Sequence, residues 1–586
     1  MRTNARLILS VTTSTDIAPR KDANELLARI GWAALICVTL YVCYFSHLGA
    51  IGFVGPDEPR YAWIARDMAE TGDWVTPRLY GKPWFEKPPL YYWGAAICFK
   101  LFGVSEAAAR LPSAISALLA TLAMAWFAWR VYGAETARWL LLLLPTTVGM
   151  IGFSHAAATD MPFSAMLTIG MVCAAAALGL VTDESSRDAA QGAASLQGER
   201  NVARRRWLAL ILFGFFLGLA VLAKGPAGII LCGGAVFFWA LFTKRWRGAL
   251  RLFHPAAITA FCVTALPWYI LCARRNPDFV RIFIIEHNFK RYLTPEFQHI
   301  QPLWFYVPVV LLALFPWTAL LIGLVDLKAF TLSSGAPYFV CWTAFTILFF
   351  SLSQSKLPGY ILPALAPLML LSARGLTHTL KAGEKSIRWM CAGVGVSVSA
   401  MALVGLTSGL VGRMALDYAL NRKVLDVADP IVVSTILALF VAVGALSVLP
   451  TLVLWLVGRR RIALFLAVVA PVIVMIIGTT YMGRVFDEIV SVRPAFRKAE
   501  LVWPGLTRRN IVSYKLRRSA LYAFNFYLGR EIKERSSSEN ENVLVVTTPD
   551  QVLSLEQSGF PCSRDVNSFV VVVCDAQGHR GDYPPK

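Results

Sequence analysis

Apolar stretches of about twenty residues, each long enough to cross a hydrocarbon core of roughly 30 Å as a helix, recur along this chain from about Arg29 to Tyr481. Such a pattern leaves few folds open. In lipid every backbone amide and carbonyl must be paired within the protein, so the chain is expected to be an α-helical polytopic membrane protein. Its composition agrees: of 586 residues, 56% are hydrophobic and only 16% charged, with a mean hydropathy of +0.56. Residues 1–28 are polar and the apolar run after them is too long for the core of a signal peptide, so the first helix is expected to stay.

Spans are expected near 30–53, 107–129, 137–155, 161–181, 207–222, 227–243, 253–272, 304–325, 334–353, 359–376, 389–411, 431–457 and 462–482. Thirteen is odd, so the termini fall on opposite sides. With the N-terminus inside, the cytoplasmic loops carry Arg204-Arg205-Arg206, Lys244-Arg245 with Arg247 and Arg251, Lys381 to Arg388, and Arg459-Arg460-Arg461, as the positive-inside rule requires. The formal net charge of +20 is spread along the span flanks in this way, which points to anchoring and anionic lipid and against nucleic acid. Residues 89–103 are apolar but short and contain Lys100, so they read as an interfacial helix on the outer leaflet. Residues 183–206 read as a polar, low-complexity cytoplasmic loop.

The expected organisation is a cytoplasmic N-terminus over 1–29, a membrane domain over 30–482 with outer loops at 54–106 and 273–303, and an outer C-terminal domain over 483–586. That last segment alternates helix-like and strand-like pieces: residues 514–532 read as helix, and 543–547 and 569–573 as buried strands, which makes a small α/β cap. It shows no catalytic signature. Of the eleven cysteines only Cys562 and Cys574 lie in this polar tail, where an outer location would permit a disulfide between them.

Orientation sorts the polar motifs. On the outer side fall Gly55-Pro56-Asp57-Glu58-Pro59-Arg60-Tyr61 and Trp84-Phe85-Glu86-Lys87-Pro88-Pro89. A helix starting at Asp57 would set Arg60 and Tyr61 over the same face, although Asp57 serves equally well as an N-cap and Arg60 as a snorkelling cation. Asp160, in Thr159-Asp160-Met161-Pro162, sits between two spans with almost no loop to solvate it, a position that favours function over capping. Lys224 in the Ala223-Lys224-Gly225-Pro226 turn reads as structural. In Phe283-Ile284-Ile285-Glu286-His287-Asn288-Phe289-Lys290-Arg291, helical spacing dips Phe283 toward the membrane and presents His287 and Arg291 at its surface, either for phosphate or for headgroups in general. Lys356 and Tyr360 in the 353–360 turn suit the membrane edge as well as a site. Two carboxylates and several cations emerging on one face from separate spans match a phosphate-bearing lipid, whose oxygens Lys and Arg can hold. A transporter would place its ionisable groups near the bilayer midplane on broken, repeated helices, and neither feature is found.

Taken in order, Pro-Asp-Glu-Pro-Arg-Tyr at 56–61, Phe-Glu-Lys-Pro-Pro-Leu at 85–90, Thr-Asp-Met-Pro at 159–162 and Lys-Leu-Pro-Gly-Tyr at 356–360 resemble the motifs of GT-C type membrane glycosyltransferases. The nearest likeness is to the lipid A aminoarabinosyltransferases, relatives of the protein O-mannosyltransferases. That resemblance covers nearly the whole chain. It implies a periplasm-facing active site in a bacterial inner membrane and transfer of 4-amino-4-deoxy-L-arabinose from undecaprenyl phosphate to a lipid A phosphate, with inversion at the anomeric carbon. By the same resemblance Asp57 leads as the catalytic carboxylate with Asp160 shaping the cavity, and Arg60, Tyr61, Lys87, Arg291, Lys356 and Tyr360 bind the donor phosphate. Glu86 and His287 look like a metal pair, but two ligands fall short of a closed site and leave a divalent metal open. The rival within the family is a polyprenyl-phosphate-dependent protein O-glycosyltransferase, whose hydroxyl acceptor needs a base that a phosphate acceptor does not.

Overall fold

A computed structural model describes residues 18–181, 196–294, 300–325, 335–382, most of 450–466, 483–535 and, apart from 563 and 569, 543–575. Helices fall at each of the first ten expected spans. Among the described residues, six are long and apolar enough to cross a bilayer: Glu25–Tyr44, Glu106–Tyr132, Asp160–Ala177, Arg200–Lys224, Pro255–Arg275 and Pro358–Leu380. The 137–155 segment is two helices, Ala134–Leu143 and Val148–Ser154, bent by 63° about the intervening turn. Ala227–Thr243 and Ala336–Leu352 are shorter apolar helices. The expected spans at 389–411, 431–457 and 462–482 lie wholly or mostly outside the described residues.

Burial separates the helices by role. Pro358–Leu380 is almost wholly enclosed, whereas Pro255–Arg275 turns most of its surface outward, with Val263 68% exposed. In a membrane chain such apolar exposure is a lipid-facing surface. The central helices pack closely through small residues: an added Cβ at Gly214 would lie 2.0 Å from the Ala257 carbonyl oxygen, so no side chain fits there.

One expectation is corrected. The polar 183–206 segment is not all loop, because the helix Leu196–Lys224 begins eleven residues before Trp207 and carries Arg204, Arg205 and Arg206 on its first turns. Arg, Gln, Glu and Ala are good helix formers, and the apolar helix that follows gives them a template to extend.

The motifs expected on the outer side build a compact layer, the outer layer. Asp57–Thr71 and Leu90–Phe102 pack on each other and on Glu106–Tyr132. Between them Arg78–Leu79 pairs antiparallel with Lys82–Pro83. The helix at 90–102 has the two faces expected of an interfacial element: Tyr91 and Tyr92 are wholly buried, while Ile97, Leu101 and Phe102 are exposed. Against this layer docks the C-terminal segment, a mixed five-stranded sheet in the spatial order Lys533–Glu534, Ile511–Ser513, Leu544–Thr547, Val572–Asp575, Arg564–Asn567. The first three strands run parallel and the last two pairings are antiparallel. Helix Arg518–Leu528 replaces the longer 514–532 helix read from the sequence, because Ile511–Ser513 is drawn into the sheet and Gly529, at φ +77°, ends the helix in the left-handed conformation. Cys562 and Cys574 are joined in a disulfide.

Two buried arginines fasten the layers together. Arg110 donates to both oxygens of Glu58 (2.9 and 2.8 Å) and to the carbonyls of Leu48, Ile51 and Gly52. Arg493 binds Asp487 (2.7 Å), Glu106 (3.1 Å) and the carbonyls of Gly49 and Ala50. Each guanidinium thus has carboxylate and carbonyl acceptors, without which a buried charge would be prohibitive. Gly52 lies between these anchors, where a Cβ would sit 2.5 Å from Ser491 Oγ.

Candidate active site

Where the outer layer meets the membrane helices, a cavity of about 1060 Å³ opens. Helix Asp57–Thr71 brings Asp57, Arg60 and Tyr61 to it; the extended 83–87 segment brings Trp84, Glu86 and Lys87; the start of Asp160–Ala177 brings Asp160. His287 and Tyr360 are the other expected residues that line it.

Asp57 is the first residue of its helix, after Pro56, and makes no cap of its own. Its Oδ1 instead accepts from Arg60 Nη2 at 2.5 Å, the i,i+3 relationship that helical spacing predicts. Arg60 Nη2 also lies 3.1 Å from Glu86 Oε2. The guanidinium is 7% exposed and faces the rings of Tyr61, Trp84 and Tyr522 at 5.3, 5.4 and 5.9 Å. Burial disfavours its charge, but the carboxylates of Glu86 and Asp57 hold it firmly protonated. Among the described residues both carboxylates are met through Nη2 alone, so Arg60 aims Asp57 and Glu86 while its buried Nε makes no hydrogen bond.

The Asp57 side chain is 52% exposed and lines the cavity. Burial beneath the cavity rim raises its pKa from the ordinary 3.8, the Arg60 guanidinium opposes that rise, and the negative field of Glu86 adds to it. Tyr61, 3% exposed, packs on Tyr91 and Tyr92 and has its phenol pushed well up by burial, so it is neutral at any physiological pH.

Asp160 meets a partner that sequence reasoning had set aside. Lys224 Nζ lies 2.5 Å from Asp160 Oδ1 and 4.5 Å from the centre of the Tyr360 ring. The turn after Lys224 depends on Gly225, whose φ of +79° and 2.9 Å clearance to Phe283 exclude any side chain. Gly-Pro thus explains the turn, and the turn delivers the lysine into the site.

A second, mostly apolar groove of about 330 Å³ adjoins the cavity. Ile230, Leu293, Phe349 and Phe350 line it, and Lys87, Lys224, His287 and Tyr360 line both spaces, which marks them as the junction.

Two expectations come out differently, those for Lys356 and Phe283. Lys356 does not reach the cavity: its ammonium donates to the carbonyls of Gln301 (2.9 Å) and Ser353 (2.6 Å), and the residue is 7% exposed. Those bonds hold the loop that carries Tyr360. Phe283 does not dip into lipid but packs in an aromatic cluster, stacked on Phe279 at 5.6 Å; the segment Arg281–Lys290 is a π-helix, whose wider turn still leaves His287 facing the cavity. The Arg291 side chain lies outside the described residues. As to a metal, no group of three or more His, Cys, Asp or Glu converges among the described residues, and Glu86 is engaged by Arg60, so the residues present do not fit a closed site.

The cavity also holds Arg517, Arg518 and Ser519, from the C-terminal segment that the sequence marks as lacking a signature. Arg60, Lys87, Lys224, Arg517 and Arg518 outnumber the carboxylates Asp57, Glu86 and Asp160, an excess of positive charge suited to an anionic ligand.

Comparison with known proteins decides the family. A model described as dolichyl-phosphate-mannose-protein mannosyltransferase matches residues 30–283. An undecaprenyl phosphate-alpha-4-amino-4-deoxy-L-arabinose arabinosyl transferase of Pseudomonas aeruginosa is 30% identical over 400 residues, 68% of this chain and 67% of that protein. This chain belongs to that arabinosyl transferase family. The family relative from Erwinia tasmaniensis is 32% identical over 368 residues, and there the match spans 61% of the relative's length. The family fold is confirmed by the crystal structure of ArnT from Cupriavidus metallidurans bound to undecaprenyl phosphate, with a TM-score of 0.74 at 22% identity, covering 94% of this chain and 99% of that one. The chain is accordingly a multi-pass membrane protein of the arabinosyl transferase family.

Proposed function

We propose that this protein transfers 4-amino-4-deoxy-L-arabinose from undecaprenyl phosphate to a phosphate of lipid A on the periplasmic face of a bacterial inner membrane. The observation that carries the reading is the continuity of a charged cavity with an apolar groove through Lys87, Lys224, His287 and Tyr360. A prenyl chain suits the groove, its phosphate suits the two ammonium groups at the junction, and the sugar then falls in the cavity between Asp57 and Asp160. An amino sugar carries an ammonium at neutral pH, which complements the carboxylates of Asp57 and Glu86. The outward orientation is supported by the basic loops on the opposite side and by the Cys562–Cys574 disulfide, a bond that persists in oxidising compartments.

The chemistry is a displacement at the anomeric carbon. An oxygen of the acceptor phosphate forms the new bond to that carbon while the bond to the donor's phosphate oxygen breaks, and the electron pair departs on undecaprenyl phosphate. Lys87 and Lys224 stabilise the departing charge. A phosphate monoester with a second pKa of about 6 is already anionic at neutral pH, so no proton need be removed from the nucleophile. Asp57 and Asp160 then act by holding the sugar and by electrostatics. Donor-site roles for Arg60, Tyr61 and Arg291 rest on the motif resemblance, and no direct phosphate contact is assigned to Lys356.

The test is transfer by the purified protein from the undecaprenyl-linked amino sugar to lipid A and, in parallel, to serine- and threonine-containing peptides, read by mass spectrometry. A sugar-sized mass gain on lipid A is expected. Gain on peptide alone would replace this reading by protein O-glycosylation.

A further inference from the structure

The cations of the cavity fall into two groups. Lys87 and Lys224 line both the cavity and the apolar groove, whereas Arg517 and Arg518, with Ser519, line the cavity alone. The displacement proposed above has two phosphates, one leaving and one attacking, on opposite sides of the anomeric carbon. They repel each other, so each needs its own cations. We infer that Arg517, Arg518 and Ser519 form the receiving site for the phosphate of the acceptor, so that the C-terminal segment selects the acceptor while the membrane helices hold the donor. This assignment rests on the transfer reading and sharpens it.

The two arginines have charge to give. Arg517 meets Asp550 only at 3.8 Å, with both side chains more than half exposed, a pairing worth little in water. Arg518 has no ion-pair partner among the described residues; its Nη2 lies 3.4 Å from the Tyr522 hydroxyl and its guanidinium 6.0 Å from the Tyr522 ring. Arg60, by contrast, is held between two carboxylates. Tyr522 presents its ring to Arg60 as well, at 5.9 Å, so one aromatic side chain contacts both the guanidinium that aims the carboxylates and the one offered to the acceptor.

The position of the pair is fixed by packing. Along the same helix Asn525 donates to the Tyr80 hydroxyl at 3.0 Å, Phe526 meets Phe53 edge-on at 4.8 Å, and the Tyr527 hydroxyl donates to Glu106 at 2.9 Å. The arginines are therefore presented by a docked element, as a bidentate phosphate site requires.

The experiment uses the full chain in proteoliposomes, the undecaprenyl-linked amino sugar as donor and lipid A as acceptor. The Arg517→Ala/Arg518→Ala double variant is expected to raise the KM for lipid A roughly tenfold to hundredfold, the loss of one or two charge-assisted bonds, with the KM for donor within about twofold of wild type. Arg517→Lys/Arg518→Lys should recover part of the loss, because lysine keeps the charge without the planar fork. An unchanged KM for lipid A, or a donor KM that rises with it, would overturn the assignment. If the double variant does not fold, Arg517→Ala alone, at a solvent-exposed side chain, must still raise the acceptor KM severalfold. A wild-type protein that leaves lipid A unmodified would sink the transfer reading itself, whereas an active wild type with an indifferent double variant sinks only the acceptor site.

Discussion

Glu58 accepts a hydrogen bond from the backbone amide of Ala157 at 2.7 Å, ninety-nine residues along the chain. The same carboxylate takes Arg110 on both oxygens and the amide of Val54 at 2.8 Å. Ala157 opens the turn that leads to Asp160, and Glu58 follows Asp57, so one buried carboxylate sets the separation of Asp57 and Asp160. Glu58→Gln would leave the Arg110 guanidinium, 6% exposed, without its counter-charge. The expected cost is about 3–5 kcal/mol of stability, read as a lower unfolding temperature in detergent, together with weakened transfer in whatever protein survives. A variant as stable as wild type would mean that the carbonyls of Leu48, Ile51 and Gly52 suffice for Arg110.

Asp57 supplies a pH signature. Its folded pKa is raised above the ordinary 3.8, chiefly by burial. A group that acts as its carboxylate is fully effective above its pKa and fails as pH falls through it, so the acid limb due to Asp57 is displaced upward from the usual aspartate range. Under the proposed transfer to a lipid A phosphate, the acceptor contributes its own limb near a pKa of about 6. In a pH profile of kcat/KM, Asp57→Asn should erase the first limb and keep the second. Because a phosphate nucleophile, as proposed, needs no base, the same variant should lose less than the ~10²-fold that removing a general base costs at the least. A larger loss, with donor binding intact, would restore Asp57 as an essential base.

What the sequence made legible follows from the range of the interactions involved. Apolar length placed the helices, because crossing lipid is a local demand on about twenty successive residues. The Asp57–Arg60 contact was legible for the same reason, being one helical turn. Asp160, Glu86, Lys87, His287 and Tyr360 stood out as polar groups where a bilayer edge tolerates few, and all five line one cavity. Lys224 was missed because its partner is sixty-four residues away and the Gly-Pro turn beside it offered a sufficient local account. Arg517 and Arg518 look like ordinary surface charge; only the docking of Phe526 and Tyr527 on the outer layer turns them inward. Lys356 erred the other way, since nothing local told that Gln301 and Ser353 would offer it their carbonyls.

The Asp160–Lys224 pair should behave as a unit. With side chains 21% and 10% exposed, removing either costs its partner a close, largely buried counter-charge. Asp160→Asn and Lys224→Met are each expected to raise the KM for donor about tenfold or more, and their effects should not add: a coupling of about 0.5–3 kcal/mol is expected in the double-mutant cycle. The measurement is steady-state kinetics at saturating acceptor. Additive losses would show that the two residues serve the donor independently and that their 2.5 Å contact carries no functional weight.

Gly359 gives the most local test of the site. A Cβ added there would lie 2.7 Å from Asp160 Oδ1, 3.0 Å from its Cγ and 2.8 Å from Phe153 Cε1, closer than such atoms approach. Something must move, and Asp160 has the open cavity beside it whereas Phe153 packs against the buried core. Gly359→Ala should therefore turn Asp160 away from Lys224 and lower kcat/KM by up to ~10²-fold, as displacement of a positioned group by about an ångström can, while overpacking costs about 1–3 kcal/mol of stability. Gly152→Ala is the matched control: it lies in the nearby helix Val148–Ser154 with nothing within 4 Å of an added Cβ, and alanine there should be neutral or slightly stabilising. Parallel kinetics and thermal unfolding of the two variants separate the readings. If Gly359→Ala loses stability but keeps wild-type turnover, Phe153 has yielded instead and the exact placement of Asp160 does not limit the reaction.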